Sequence, residues 1–184
     1  MRVFAAIVSG VLAFLLQTGI ADAAIKTQYV EYKDGDKALK GYLAYDDSKT
    51  GKRPGVLLVH YRGGLQGETL RDAEMIAGMG YVVFAEDVFG IATPPKTVPE
   101  MTVQTDIYNK NRPLMRTRSR AGFDVLAKNA MVDPAKIAVI GYCFGGTVAM
   151  VLAETPCRRL GPSPCMARST ASSATTPRTL GGAC

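Results

Sequence analysis

Ile137-Ala138-Val139-Ile140-Gly141-Tyr142-Cys143-Phe144-Gly145-Gly146-Thr147-Val148-Ala149-Met150-Val151-Leu152-Ala153 decides the fold. The first four residues are an apolar run of the kind that makes a buried strand, and the last seven read as a helix. Between them Gly141 and Gly145 flank Tyr142-Cys143-Phe144. Strand, Gly-flanked turn and helix in that order make a nucleophile elbow, with Cys143 where the common form has serine. The turn is so tight that its flanking positions tolerate little side chain. It lifts the Cys143 sulfur above the sheet at the N-terminus of the next helix, where the helix dipole favours thiolate over thiol. The Phe144 N–H can point at a developing oxyanion. The competing reading is a small apolar cysteine filling a tight strand-to-helix turn.

An absence is equally informative. A nucleophile of this kind is ordinarily served by an acid and then a histidine, both later in the chain. The sequence has one histidine, His60, and it precedes Cys143. Glu154 carries the only carboxylate side chain after Cys143. A triad in the expected order cannot be completed from these residues.

The chain has 184 residues, which makes one domain the default. With 47% hydrophobic and 21% charged residues it reads as globular, which excludes a disordered or fibrous class. Residues 1–23 read as a secretory signal peptide. Arg2 supplies a minimal positive region, Val3 to Leu16 is mostly apolar, Gln17-Thr18-Gly19 break the run, and Ala21-Asp22-Ala23 has the small-x-small cleavage pattern. The rival is a transmembrane anchor, for which the apolar stretch is short. The expectation is export to the periplasm or the medium, with cleavage near Ala23 or Ala24. No other segment could cross a membrane, so no stable insertion is expected after cleavage.

Net charge is +6, and four Arg against one Glu in residues 154–184 account for +3 of it. The body is mildly basic with interspersed charges, which reads as a solvated surface rather than a nucleic-acid face. Of the four cysteines, Cys157, Cys165 and Cys184 fall in those last residues. The body therefore has a single thiol and no disulfide framework. A lone thiol in an oxidising compartment is a liability unless it has work to do. The later cysteines do not look like a zinc site, because no histidine or second closely spaced Cys pair accompanies them.

Gln28 to Tyr32 and Leu39 to Tyr45 flank Lys33-Asp34-Gly35-Asp36-Lys37, a hairpin signal. Gly55 to His60 is a continuous apolar run, as for a parallel strand covered on both faces. Thr69 to Met79 has helical spacing, ended by Gly78 and Gly80. Tyr81 to Ala85 is the next buried strand. Ile91 to Thr105, with Pro94, Pro95 and Pro99, reads as a long loop forming a lid or pocket wall. Leu114 to Lys128 reads as an amphipathic helix with Ala121, Val125 and Leu126 inside and Arg116, Arg118 and Arg120 in water. The pattern is a hairpin followed by strand, helix, strand, helix, elbow strand and helix. That is an α/β fold with a mostly parallel sheet flanked by helices.

From Glu154 the composition changes abruptly. Residues 154–184 contain no Ile, Val, Phe, Tyr, Lys, Asp or His, and neither helical nor strand periodicity survives. A natural disordered tail would produce this. So would a frame-shift or truncation in a GC-rich gene, and the change falls inside the helix that should pack behind the elbow. The frame-shift reading is preferred, with a sheet incomplete on its C-terminal side and the elbow strand at or near an exposed edge.

From roughly Lys26 to Ala153 the chain resembles the dienelactone hydrolase family of α/β-hydrolases. Three segments carry the resemblance: Gly55 to His60, Ala77 to Gly90, and Val132 to Gly146. It implies hydrolysis of a small-molecule ester or lactone through a Cys-His-Asp triad, without metal or cofactor. By position it makes Cys143 the nucleophile, with the Phe144 and Arg62 N–H groups binding the oxyanion. His60 and Tyr61 then face the pocket. The family often has Glu directly after that histidine; here the residue is Tyr61. The triad Asp and His have no counterpart in the chain. His60 could substitute as base, but its position in this fold shapes the oxyanion loop. Asp87 fits a turn or cap better than a triad acid. The three arginines could bind a substrate carboxylate, although a solvated helix face is the plainer reading. Three functions stay open: an ester or lactone hydrolase, a catalytically inactive fragment, or a non-catalytic binding module with the same fold.

Overall fold

The computed structural model describes residues 24–154 together with Met166 and Ala167. Its elements are β1 (Ile25–Asp34), β2 (Lys37–Asp46), β3 (Arg53–Val59), α1 (Glu68–Gly78), β4 (Val82–Glu86), α2 (Val98–Asn109), α3 (Arg112–Ala127), β5 (Val132–Gly141), α4 (Phe144–Ala153) and β6 (Met166–Ala167). The strands form one sheet in the order β1-β2-β4-β3-β5-β6. The hairpin pairs and the β2–β4 pair are antiparallel, and the β4–β3, β3–β5 and β5–β6 pairs are parallel.

The central strands are apolar because both faces are covered. Along β3, Val56 and Leu58 face α1, where they pack with Ala73, Ile76 and Ala77. Leu57 and Val59 face the other way, into a larger cluster with Phe123 and Leu126 of α3 and Val148 and Leu152 of α4. This is the two-residue alternation of a pleated strand. All five residues of β4 are buried, the last of them being Glu86. Burying a side chain such as Leu57 or Phe84 completely contributes about 1.5–3 kcal/mol each.

Two expectations are corrected. The stretch from Ile91 to Thr105 is not one long loop, because α2 begins at Val98. Thr97 Oγ1 accepts the Glu100 N–H at 3.4 Å, and Glu100 Oε2 accepts the Lys96 N–H at 2.8 Å. Pro99 sits in the first turn, where a missing N–H leaves no hydrogen bond unmade. Val98, Val103 and Ile107 are exposed and only Tyr108 is buried, so periodicity gives no signal. The Thr97-x-x-Glu100 capping pattern was the available one.

The inner face of α3 also differs. Met115, Ser119, Gly122, Phe123 and Leu126 form its buried stripe, while Ala121 and Val125 lie at the margin. Arg118 belongs to that stripe and is 8% exposed, rather than lying in water with Arg116 and Arg120. Its Nε is 3.5 Å from Asp34 Oδ2.

The elbow strand β5 is second from the edge. β3 pairs along it, while on its outer side, among the described residues, only Ala138 and Val139 are paired, with Met166 and Ala167. The signal-peptide reading of residues 1–23 falls outside the described residues, as do residues 155–165 and 168–184. Among the described residues no helix is long and apolar enough to cross a membrane.

Candidate active site

The carboxyl end of β5 turns into α4 through Tyr142 and Cys143. Cys143 has φ 55° and ψ −118°, and it is the only non-glycine among the described residues with positive φ. Such a conformation costs of order 1–3 kcal/mol and persists only where the surroundings impose it. The flanking glycines show what does so. A Cβ on Gly141 would fall on the Gly145 carbonyl, and one on Gly145 would lie 2.6 Å from the Val59 carbonyl oxygen and 2.8 Å from that of His60. The first turn of α4 is thus pressed against the end of β3.

That contact brings the two loops of the site together. Gly145 N–H donates to Tyr142 O at 2.9 Å, and the N–H groups of Gly146 and Thr147 both donate to Cys143 O, at 3.1 and 3.3 Å. Phe144 opens the helix, so its N–H has no carbonyl four residues back within α4. The Cys143 thiol is free and exposed. On the facing loop, Gly64 N–H donates to Tyr61 O at 3.0 Å, closing a turn that contains Arg62 and Gly63.

His60 directly follows β3, beneath this turn, and is fully buried. Its Nε2 accepts the Val88 N–H at 3.2 Å, which assigns the proton to Nδ1, 2.6 Å from the Tyr61 carbonyl oxygen. Both nitrogens are occupied. Burial holds the imidazole below its ordinary value of 6.5. Phe89 meets the ring edge-on and Phe144 stacks on it. His60 therefore joins the loops after β3, β4 and β5 as a neutral, hydrogen-bonded block.

Tyr61 follows it on the other side. Its ring lies parallel to that of Tyr142, with centroids 5.7 Å apart and 9° between planes. Its hydroxyl donates to Asp72 Oδ2 of α1 at 2.7 Å. Burial first, then the Asp72 carboxylate, push the phenol above its ordinary value, so it stays protonated.

Asp87 Oδ1 accepts the Gly90 N–H at 2.8 Å, and the Asp87 backbone exchanges two hydrogen bonds with the Tyr32 hydroxyl. That is a turn role. A groove of ≈ 320 Å³ opens beside this turn, between Tyr29 and Lys40 of the hairpin, Leu65, and Phe89, Ile91 and Pro94. It lies at the carboxyl ends of the parallel strands, where α/β folds bind ligands.

Sequence reasoning missed Glu86 and the stack of Tyr61 on Tyr142. Glu86 is fully buried; Ser119 Oγ donates to its Oε1 at 2.6 Å, and Oε2 has no hydrogen-bond partner. Burial pushes its carboxyl up to about 8; the Ser119 hydroxyl opposes the shift and Asp87 adds to it. The available signal was a carboxylate directly ending the apolar run Tyr81 to Ala85. Nothing in the pattern of Tyr61 or Tyr142 announces their contact.

The match that decides the family runs over residues 39–161, which fit the model of the dienelactone hydrolase family. The chain belongs to the dienelactone hydrolase family. Among curated relatives, this dienelactone hydrolase-family chain is 28% identical over 129 residues to Protein usf of Aquifex pyrophilus, covering 68% of this chain and 54% of that one. It spans about half the length of the curated relatives it matches. Among solved structures it is similar to m3DLH, at 32% identity and TM-score 0.68, covering 71% of this chain and 54% of that one. It is also similar to a dienelactone hydrolase-like promiscuous phosphotriesterase from metagenomic libraries. That match has 32% identity and TM-score 0.69, and covers 72% of this chain and 55% of that one.

Proposed function

We propose that this member of the dienelactone hydrolase family holds the nucleophile half of a carboxylic-ester or lactone hydrolase site, with Cys143 as nucleophile. The observation that carries this reading is the backbone of Cys143, a non-glycine residue held at φ 55° between two close-packed glycines with its thiol exposed. The Cys143 sulfur attacks the substrate carbonyl, and the oxyanion is held by the Phe144 N–H and the Arg62 N–H. The tetrahedral intermediate collapses as the C–O bond breaks, and the alcohol leaves with a proton. Water then hydrolyses the thioester.

A base is needed to take the thiol proton and to activate that water. The only histidine of the sequence has both nitrogens engaged. This supports a second reading, in which the chain by itself acylates slowly and does not turn over, as an inactive fragment or a binding module would. Removing a triad member costs several orders of magnitude in rate. The test is p-nitrophenyl acetate hydrolysis by the chain and by Cys143→Ala. Stoichiometric release of nitrophenolate that disappears in Cys143→Ala supports the nucleophile, and turnover near background supports the missing base. Sustained turnover abolished by Cys143→Ala overturns the second reading.

The proposed place of action is outside the cytoplasm, on the strength of the Val3 to Leu16 run and Ala21-Asp22-Ala23. The N-terminal sequence of protein recovered from the periplasm and the medium tests it. A start at residue 24 or 25 supports the reading, and recovery only with Met1 intact in the cytoplasm overturns it.

A further inference from the structure

The oxyanion cradle of the proposed site has one donor on the elbow and the other on the loop after β3. Two separate loops must therefore keep a fixed spacing, because donors act only at hydrogen-bond distance from the oxygen as it becomes charged. The resemblance puts Glu at position 61 and this chain has Tyr61. That tyrosine precedes Arg62 directly, and Tyr142 precedes Cys143 directly. Their rings are stacked nearly parallel, 5.7 Å apart. The hydroxyl of Tyr61 is tied at 2.7 Å to Asp72 Oδ2, in the middle of α1, whose Ala73, Ile76 and Ala77 are buried against the sheet.

We infer that Tyr61, Tyr142 and Asp72 form a positioning clamp that sets the spacing between the Arg62 and Phe144 N–H groups. The stack fixes the separation of the two loops, and the Asp72 hydrogen bond fixes the Tyr61 ring to a rigid helix. None of the three touches the reacting atoms: Tyr61 and Tyr142 act through the backbone that follows them, and Asp72 acts through the Tyr61 hydroxyl. A phenol with its proton held by Asp72 contributes no negative charge beside the thiol. The position occupied by Tyr61 therefore serves geometry here rather than activation of the nucleophile. The inference rests on the nucleophile reading above.

Two reactions of Cys143 separate spacing from thiol chemistry. Acylation by p-nitrophenyl acetate passes through an oxyanion: the S–C bond forms, the C–O bond breaks, nitrophenolate leaves and the thiol proton goes to solvent. Alkylation by iodoacetamide displaces iodide at a saturated carbon and forms no oxyanion. The single acylation event is followed in the whole chain and in Tyr61→Phe, Asp72→Ala and Asp72→Asn, with ester concentration varied to separate the limiting rate from apparent affinity.

Tyr61→Phe and Asp72→Ala are expected to lower the limiting acylation rate roughly tenfold, the scale of a small misplacement of reacting groups, with apparent ester affinity and alkylation rate unchanged. Asp72→Asn keeps an acceptor for the Tyr61 hydroxyl and is expected to restore most of the rate. Unchanged acylation in Tyr61→Phe and Asp72→Ala overturns the clamp and leaves the nucleophile reading standing. A parallel fall in alkylation also overturns it, since the elbow itself is then disturbed. Alkylation without any acylation in the unsubstituted chain overturns the nucleophile reading, and the clamp with it.

Discussion

The Val88 N–H donates to His60 Nε2 across 3.2 Å while the opposite nitrogen of the same ring faces the Tyr61 carbonyl at 2.6 Å. A histidine with both nitrogens engaged to backbone supports three loops and has no lone pair for catalysis. His60→Ala takes the acceptor from the Val88 N–H, leaves the Tyr61 carbonyl with the Gly64 N–H as its remaining donor, and opens a cavity among Phe89 and Phe144. The expected loss is about 2–4 kcal/mol of stability in urea unfolding. Any slow acylation of Cys143 in the folded variant is expected to keep its dependence on pH. A pH dependence that vanishes with His60 would make it the base after all.

Glu86 and His60 oppose each other in their effect on stability against pH. The folded chain keeps the Glu86 proton up to about 8, whereas an unfolded carboxyl releases it near 4.5. Its contribution is therefore complete below about pH 4.5 and is lost as pH rises through 8. His60 is held neutral when folded, while the unfolded imidazole takes a proton near 6.5, so stability falls as pH drops below that value. Between pH 6.5 and 8 only Glu86 acts, with a slope approaching 1.4 kcal/mol per pH unit, roughly. Glu86→Gln is expected to flatten that limb of the denaturation midpoint, and an unaltered slope would rule out Glu86 as its source.

Arg118 and Asp34 give an asymmetric pair of variants. The Arg118 guanidinium is buried, and neither Nε nor Nη1 makes a hydrogen bond in the structure. Replacing it with an apolar side chain removes an incompletely paired cation. Arg118→Met is expected to be neutral or stabilising by about 1–2 kcal/mol. Asp34→Ala leaves that cation without its counter-charge, and a loss of about 1–3 kcal/mol is expected, moderated by the partial exposure of Asp34. Thermal melts of both decide the matter; equal losses would mean the pair is a net stabiliser.

Gly145→Ala tests the close approach of α4 to β3. Its methyl would lie 2.6 Å from a carbonyl oxygen with no flexible side chain to yield. A loss of about 1–3 kcal/mol or more is expected from overpacking, together with slower alkylation of Cys143 as the elbow deforms. A melting curve unchanged from the parent would show that the contact is looser than the structure has it.

The strands and the elbow were legible because they depend on local pattern. Gly55 to His60 and Tyr81 to Ala85 are continuous apolar runs, and Gly141 and Gly145 announce a turn by composition alone. The α2 helix was not legible by periodicity, since neither of its faces is consistently buried, although Thr97 and Glu100 mark its start. The inner face of α3 was misjudged because Arg118, a residue type that seldom goes inside, shares the stripe of Met115 and Phe123. The stack of Tyr61 on Tyr142 joins residues distant in sequence. Its existence follows only from the parallel pairing of β3 with β5, which places their carboxyl ends side by side.

The strained backbone of Cys143 has a consequence for the order of folding. Its geometry exists only once Gly145 lies against Val59, a residue from the far side of three helices and two strands. Neither the elbow segment alone nor a chain with β3 undocked has anything to hold that conformation. The nucleophile's shape therefore cannot precede the docking of α4 against β3. A thiol probe applied during refolding would then time the arrival of the site itself, separately from the gain of helix and sheet.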